Sequence, residues 1–477
     1  MAEYTWLFPF EKIPYGSKVV IYGAGRMGHE YLKQILITNY CKIVCFLDKN
    51  YSQYESFPCP VKSPNKICEL NFDYVILAFE TASYVKTISD FLREHDVRED
   101  QIVYTLSRRK IDFSLMKGEM CDNTRVKYAY NHSRLSVAIK LSGAVGDNII
   151  RKKVLECFVK YAPECSIDIY SPAASTFLPG FYFGFSNINQ FIADGGGAYV
   201  SQVEKYDIGL CIANFFQVDH IKYEAFEKSN PLLAEKMHLL QKRCVEVGMD
   251  FSIPLYNFFS RKIIQGKNCY TAYEYDGVFD IPDKNSHIKL SPEFKEAFNK
   301  LSLRCKKYIT INYGNAISLK NAQNAAKQWP YSYFVKLVNY IKKEYPDIKI
   351  VQLGGSQAQK IPLVDCYVLG ESLELVKYIL KYSFVHIDIE GGLVHLATQF
   401  NTKCTVLFGP TQIKYWGYEQ NLNIRAGDCC DCYGMYLDIN HCARGMEKPV
   451  CMYSITPEYV FKEINKHFSL NLAVDYD

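Results

Sequence analysis

Five short stretches of this 477-residue chain carry residue types whose order could do chemistry. GAGRMG places Gly23, Gly25 and Gly28 after the apolar run KVVIY and ahead of a helical pattern, with Asp48 ending the next apolar run. Glycines at this spacing permit a tight turn and bring backbone N–H groups close to a pyrophosphate. An acidic residue about 20 positions on is where a ribose hydroxyl is held. A dinucleotide or nucleotide is one expectation here; a unit of the same fold that binds nothing and serves assembly is the other. LSGAVGDNII sets Asp147 in a glycine-containing loop between a strand and a helix. A carboxylate on that sheet edge, near a positive helix end, can take a proton from an attacking hydroxyl. It can equally be a plain helix cap.

The third and fourth stretches suit an anion. KQWP puts Lys327 shortly before Trp329 and Pro330 at a helix start, where a lysine meets phosphate as a point charge. In DIEGGLVHLATQF, Gly391 and Gly392 let the backbone turn close to a ligand, and the following helix offers free N–H groups. His395, about one turn inside, is placed to donate to a phosphate oxygen, and Glu390 to accept from ribose or sugar hydroxyls. Gly409-Pro410-Thr411 ends the next strand on the same edge. The plainer readings are a core histidine and a solvated helix-end lysine.

The fifth stretch, AGDCCDCYGMYLDINHCARGMEKPVCM, holds Cys429, Cys432, Cys442 and Cys451, with Cys430 a bystander. Cys-x-x-Cys followed by two more cysteines fits a four-thiolate site for structural zinc or iron, with no open position for substrate. Disulfides are the competing reading.

These groups need regular elements to hold them. Short β-branched runs alternate with helical patterns in three blocks, which predicts parallel α/β layers. Residues 1–112 form a Rossmann-like unit, 113–134 a polar, patternless linker, and 135–305 a second α/β unit beginning at SVAIKL. Residues 306–477 form a third, from KYITINYG to the last helix TPEYVFKEINKHF, carrying the knuckle 429–451. Hydrophobic residues make up 48% and charged residues 22%, as in soluble globular chains. A net charge of +4 is small for this length and argues against bulk nucleic-acid binding. No run nears the ~18 apolar residues of a membrane span, and MAEYTWLFPFEKIPYG lacks the parts of a signal peptide. The 18 cysteines lie largely in apolar runs such as KIVCFLD and DIGLCIAN, which suits reduced thiols in the cytoplasm.

GAVGD, KQWP, EGGLVHLA and TVLFGPT, in that order, resemble glycosyltransferase family 9, the ADP-heptose heptosyltransferases, over roughly residues 135–470. The resemblance implies two facing Rossmann-like domains, the GT-B architecture, here preceded by a third such domain. It implies that Asp147 is the general base of an inverting displacement and that Lys327 binds the nucleotide diphosphate. It makes Gly391, Gly392, Leu393 and His395 the loop and helix start that hold the donor phosphates, with Glu390 and Thr411 beside them. The implied donor is ADP-heptose-like. The acceptor is a surface glycan, lipid-linked or protein, and the site of action the cytoplasm or the inner face of the membrane. Many members carry a C-terminal cysteine set, and those that modify autotransporter proteins bind iron through one. The first block separately resembles small nucleotide-binding domains found beside glycan-assembly enzymes. Where the family has Asp-Ser/Thr-Gly, this chain has Glu390-Gly391-Gly392, and the family's hydroxyl pair ahead of the lysine is missing. Two other functions stay open: an NAD(P)-type oxidoreductase centred on GAGRMG, and a non-catalytic sugar-nucleotide scaffold. The oligomeric state is open as well.

Overall fold

The computed structural model describes residues 4–54, 57–110, 134–194, 197–213, 216–249, 261–275, 277–303, 307–313, 326–429, 431–433 and 442–468. Three sheets organise them. In the first, the strands run in space as Val61–Lys62, Lys42–Leu47, Lys18–Tyr22, Tyr74–Leu77 and Ile102–Tyr104, all parallel. A two-stranded antiparallel ribbon, Tyr4–Trp6 with Arg108–Lys110, pairs the two ends of this block.

The second sheet runs Ile188–Ala193, Ser166–Ser171, Ser136–Leu141, Ile208–Ile212 and Phe216–Ile221. Its first four strands are parallel and the last is antiparallel, which corrects the expectation of purely parallel layers. Only three residues separate Ile212 from Phe216. A parallel neighbour needs a crossover of a dozen or more. The third sheet is parallel throughout: Cys366–Leu369, Lys349–Gly354, Tyr308–Asn312, His386–Ile389, Cys404–Leu407 and Leu422–Ile424. Central strands such as KVVIY and YITIN are almost continuously apolar and buried, as parallel strands covered on both faces must be.

In each sheet the strand order reverses beside the block's first parallel strand. Open α/β sheets bind ligands beyond the carboxyl ends of the strands at that point. The glycine loop follows Lys18–Tyr22, Asp147 lies beyond Ser136–Leu141, and Glu390 follows His386–Ile389, the neighbour of Tyr308–Asn312. The glycine loop, Asp147 and the Glu390–His395 segment therefore lie at switch points, while Asp48 ends the neighbouring strand Lys42–Leu47.

The second and third sheets share one hydrophobic core, running from Val137 and Ile139 through Tyr308 and Val351 to Leu396 and Tyr415. The two blocks face each other as expected, yet they pack as one body. Trp329, Phe334 and Met452 belong to a separate core that also takes in Val460 and Ile464 of the last helix, Pro457–His467. That helix starts where the sequence predicts: Thr456 Oγ1 accepts from Tyr459 N at 3.2 Å, and proline opens the first turn. The N-terminal block keeps its own two cores. The linker 113–134, except Arg134, and the boundary at residues 305–306 lie outside the described residues.

Candidate functional site

The middle and C-terminal blocks meet through two helix starts. Helix Val145–Val159 begins after Ala144, and helix Gly392–Gln399 begins after Gly391. A Cβ on Gly392 would lie 3.0 Å from Val145 Cβ and 3.1 Å from Gly146 N. One on Gly146 would lie 2.7 Å from His395 Cδ2. The glycines serve this close approach. Gly391 is extended (φ −179°, ψ −175°), a conformation open to any residue, so the backbone there does not itself require glycine.

Asp147 stands within the first helical turn, not ahead of the helix. Its Oδ2 accepts from Ala144 N at 2.9 Å, so the capping role and a place in the cleft coexist. Arg151, one turn on, is buried; its Nε donates to Ala213 O at 2.9 Å. Its Nη1 is buried with no hydrogen-bond partner among the described residues. A Cβ on Gly143 would lie 2.6 Å from Arg151 Nη1 and 2.7 Å from Asp147 Oδ2, so guanidinium and carboxylate converge on one point. Sequence reasoning missed this arginine, although its i,i+4 spacing from Asp147 was visible.

Across the cleft, Glu390 is buried and ion-paired with Lys327. His395 Nε2 lies 3.8 Å from its Oε1. Burial alone would push the Glu390 carboxyl up, but the Lys327 ammonium and His395 outweigh it and hold it at about 2. Lys327 is thus gathered into the switch point with Glu390. Pro330 caps the following helix from outside instead of opening its first turn. His395 is buried, and its Nδ1 lies 2.7 Å from Tyr418 Oη, which is 3.0 Å from Tyr270 Oη. The ring is therefore fixed by the protein, closer to the core-histidine reading than to a free phosphate donor. Leu393, half-buried, occupies the same first turn. Thr411 is 1% exposed, and its hydroxyl has no hydrogen-bond partner among the described residues.

Tyr433 is a second residue that sequence reasoning missed. The Lys327 ammonium lies 5.6 Å from its ring centroid. Burial, then the Glu390 and Asp147 charges, push its phenol up, so it stays a proton donor. Its backbone is held by a bond to Pro410 O at 2.7 Å and by Gln412 Nε2 at 2.7 Å from Tyr433 O. Tyr433 follows Cys432 directly, so the cysteine segment furnishes a wall of the cleft.

Cys429, Cys432, Cys442 and Cys451 line one cavity together with Phe10, Thr38 and Tyr40 of the N-terminal block. Burial, then Cys451, Cys429 and Cys442, push the Cys432 thiol well up. All four are free thiols, so the disulfide reading does not hold for them. Cys430 lies outside the described residues. Among the described residues, no set of three or more Cys, His, Asp or Glu side chains is arranged to hold a metal ion. In the N-terminal block, Gly23 has φ +112°, where a Cβ would meet Ala78 O at 2.8 Å, and a Cβ on Gly28 would strike Gly23 O. Gly25 caps the helix Arg26–Thr38 with open space before it. The Asp48 carboxylate accepts from Ala24 N and from Asn50 N, each at 2.9 Å, and so braces the glycine loop.

Two facing α/β blocks, with a carboxylate at one switch point and a lysine–glutamate pair beside a helix start at the other, define a GT-B-like fold. In sequence, the chain is similar to the heptosyltransferases of glycosyltransferase family 9. Lipooligosaccharide heptosyltransferase 2 of Campylobacter jejuni is 24% identical over 222 residues, a match covering 39% of this chain and 66% of that protein. Among solved structures, a family 9 glycosyl transferase of Veillonella parvula matches 71% of this chain and 98% of its own, at 16% identity and TM-score 0.44. The iron-containing dodecameric glycosyltransferase TibC of enterotoxigenic E. coli matches 72% of this chain and 81% of its own, at 14% identity and TM-score 0.47. Residues 15–103 match the family described as C2185-like, N-terminal.

Proposed function

We propose that this chain is an inverting glycosyltransferase that moves a heptose-like sugar from an ADP-heptose-like donor to a surface-glycan or glycoprotein acceptor. The observation that carries the reading is the meeting of the Asp147 and Gly392 helix starts, with Lys327 and Glu390 behind them. An acceptor hydroxyl attacks the anomeric carbon and passes its proton to Asp147 as the bond to the nucleotide diphosphate breaks. One displacement inverts the configuration. Arg151 brings its spare Nη1 to the same point as the Asp147 carboxylate, where it can meet a ligand oxygen. Charge develops on the departing diphosphate, where Lys327, the N–H groups at Gly391 to Leu393 and the Tyr433 hydroxyl receive it. A preorganised donor of this kind contributes about 3 kcal/mol in other enzymes. The unpartnered Thr411 hydroxyl supports a polar ligand atom nearby.

Four thiols around one cavity match the donor set of a structural zinc or iron, and the mutual crowding at Cys432 is what a cation would relieve. Such an ion would neutralise the thiolates and stiffen the segment that carries Tyr433. The N-terminal block is assigned as a nucleotide-binding or assembly module, on the open helix start at Gly25. Among the described residues no helix is long and apolar enough to cross a membrane, and we place the enzyme in the cytoplasm or at the inner membrane face.

A melting-temperature panel tests the reading. ADP and ADP-heptose should stabilise the protein, and the transferred sugar should show inverted anomeric configuration by NMR. Stabilisation by NAD(P) alone would favour an oxidoreductase. Donor binding with no turnover over any acceptor glycan would favour the scaffold.

A further inference from the structure

We infer that the middle block carries a second ligand pocket, for a sugar phosphate, on the flank of the helix that starts beside Asp147. A cavity of about 400 Å³ is lined by Lys152, Lys153, Lys160 and Lys289 together with His287 and the rings of Phe183 and Phe185. It shares no residue with the transfer cleft. Lys152 and Lys160 follow Asp147 by about 7 and about 20 Å along the helix axis.

The charges inside are unequal. Glu156 pairs with Lys152 and lies 2.8 Å from His287 Nδ1, and Asp283 Oδ1 lies 2.7 Å from Lys153 Nζ. Lys160 and Lys289 form no ion pair among the described residues, which leaves two ammonium charges uncompensated. The crowding is felt within the pocket: after burial and Glu156, Lys289 and Lys153 both bear on Lys152. A phosphomonoester carries between ~1.5 and 2 negative charges at neutral pH. It matches the two spare lysines better than a monoanionic carboxylate does, and lysine meets phosphate without demanding a fixed fork geometry. The apolar side has its own use. Phe183 is 46% exposed at the rim, a platform for the C–H face of a sugar ring. The volume accommodates one hexose phosphate.

The inference does not rest on the transferase reading. The test is calorimetric titration of the full chain, with saturating ADP present, using glucose 6-phosphate, inorganic phosphate, glucuronate and glucose. Glucose 6-phosphate should bind saturably and most tightly, phosphate and glucuronate more weakly, and glucose not at all. Lys160→Ala/Lys289→Ala, at two exposed positions, should weaken glucose 6-phosphate at least ten-fold, while the doubly arginine-substituted protein stays within about three-fold of wild type. The ADP affinity of a separate sample should not change in either. No saturable binding of glucose 6-phosphate, or a loss below three-fold in the double alanine variant, would overturn the assignment. Failure of ADP to bind would bear on the cleft alone.

Discussion

Gly392 and Gly146 lie against each other across the cleft, 3.1 Å from the position a Cβ on Gly392 would take to the Gly146 nitrogen. Two helices therefore point their positive ends at one space. That arrangement repels unless negative charge intervenes. In the protein alone, Asp147 and Glu390 supply it; in the proposed complex, the donor diphosphate joins them.

The first prediction concerns this contact. Gly392→Ala should prise the blocks apart and cost about 1 to 3 kcal/mol, as overpacking does. Gly391→Ala should be neutral or slightly stabilising, since its Cβ would meet nothing closer than Ile389 O at 3.8 Å. Chemical denaturation of the two variants checks this, and equal effects would contradict the packing argument.

Asp147→Asn should lower transfer by about 10² to 10⁴, the usual reach of a general base. Its amide oxygen can still accept from Ala144 N, so the melting temperature and ADP affinity should barely move. A transfer assay alongside calorimetry separates the two readouts. Full activity in the variant would leave Asp147 as a helix cap and nothing more.

Lys327→Ala should act twice. It removes a charge that receives the diphosphate, raising the ADP dissociation constant ten-fold or more, equal to about 1.4 kcal/mol. It also strands the buried Glu390 carboxylate, at a stability cost of up to about 3 kcal/mol. Lys327→Ala combined with Glu390→Gln should recover much of the stability but not the ADP affinity. Recovery of both would show that the lysine only serves its partner.

The Glu390 pair sets a pH dependence. Its carboxyl is held at about 2 in the folded protein, against about 4.3 in an unfolded chain. The group is depressed, so its contribution is complete above about 4.3 and is lost as pH falls from there through 2. Acid unfolding followed by circular dichroism should show a component in that window which Glu390→Gln lacks. Superimposable profiles would remove the ion pair from the account.

Elemental analysis should find about one zinc or iron per chain, and a strong chelator should lower the melting temperature. Serine at Cys432 should abolish both effects. Because the thiols share a cavity with Tyr40 and Phe10, chelation should also loosen the N-terminal block, seen as faster amide exchange in residues 8–41. Metal-free protein with unchanged stability would refute the knuckle.

Much of this was legible in the chain itself. KVVIY, SVAIKL and YITIN announce central parallel strands because burial on both faces demands unbroken apolar runs. GAVGD and EGGLVHLA announce helix starts because glycine and acidic residues at such ends obey local backbone rules. The residues that complete the cleft were a different matter. Nothing in the vicinity of Lys327 names Glu390 as its partner, and nothing near Cys432 says that the ring of the next residue lies against Lys327. Those pairings come from separate strands brought to one sheet edge and from one core shared by two blocks. Periodicity reports which face of an element is buried, not what it is buried against, so the kinds of group available were set by the sequence and their meeting by tertiary packing.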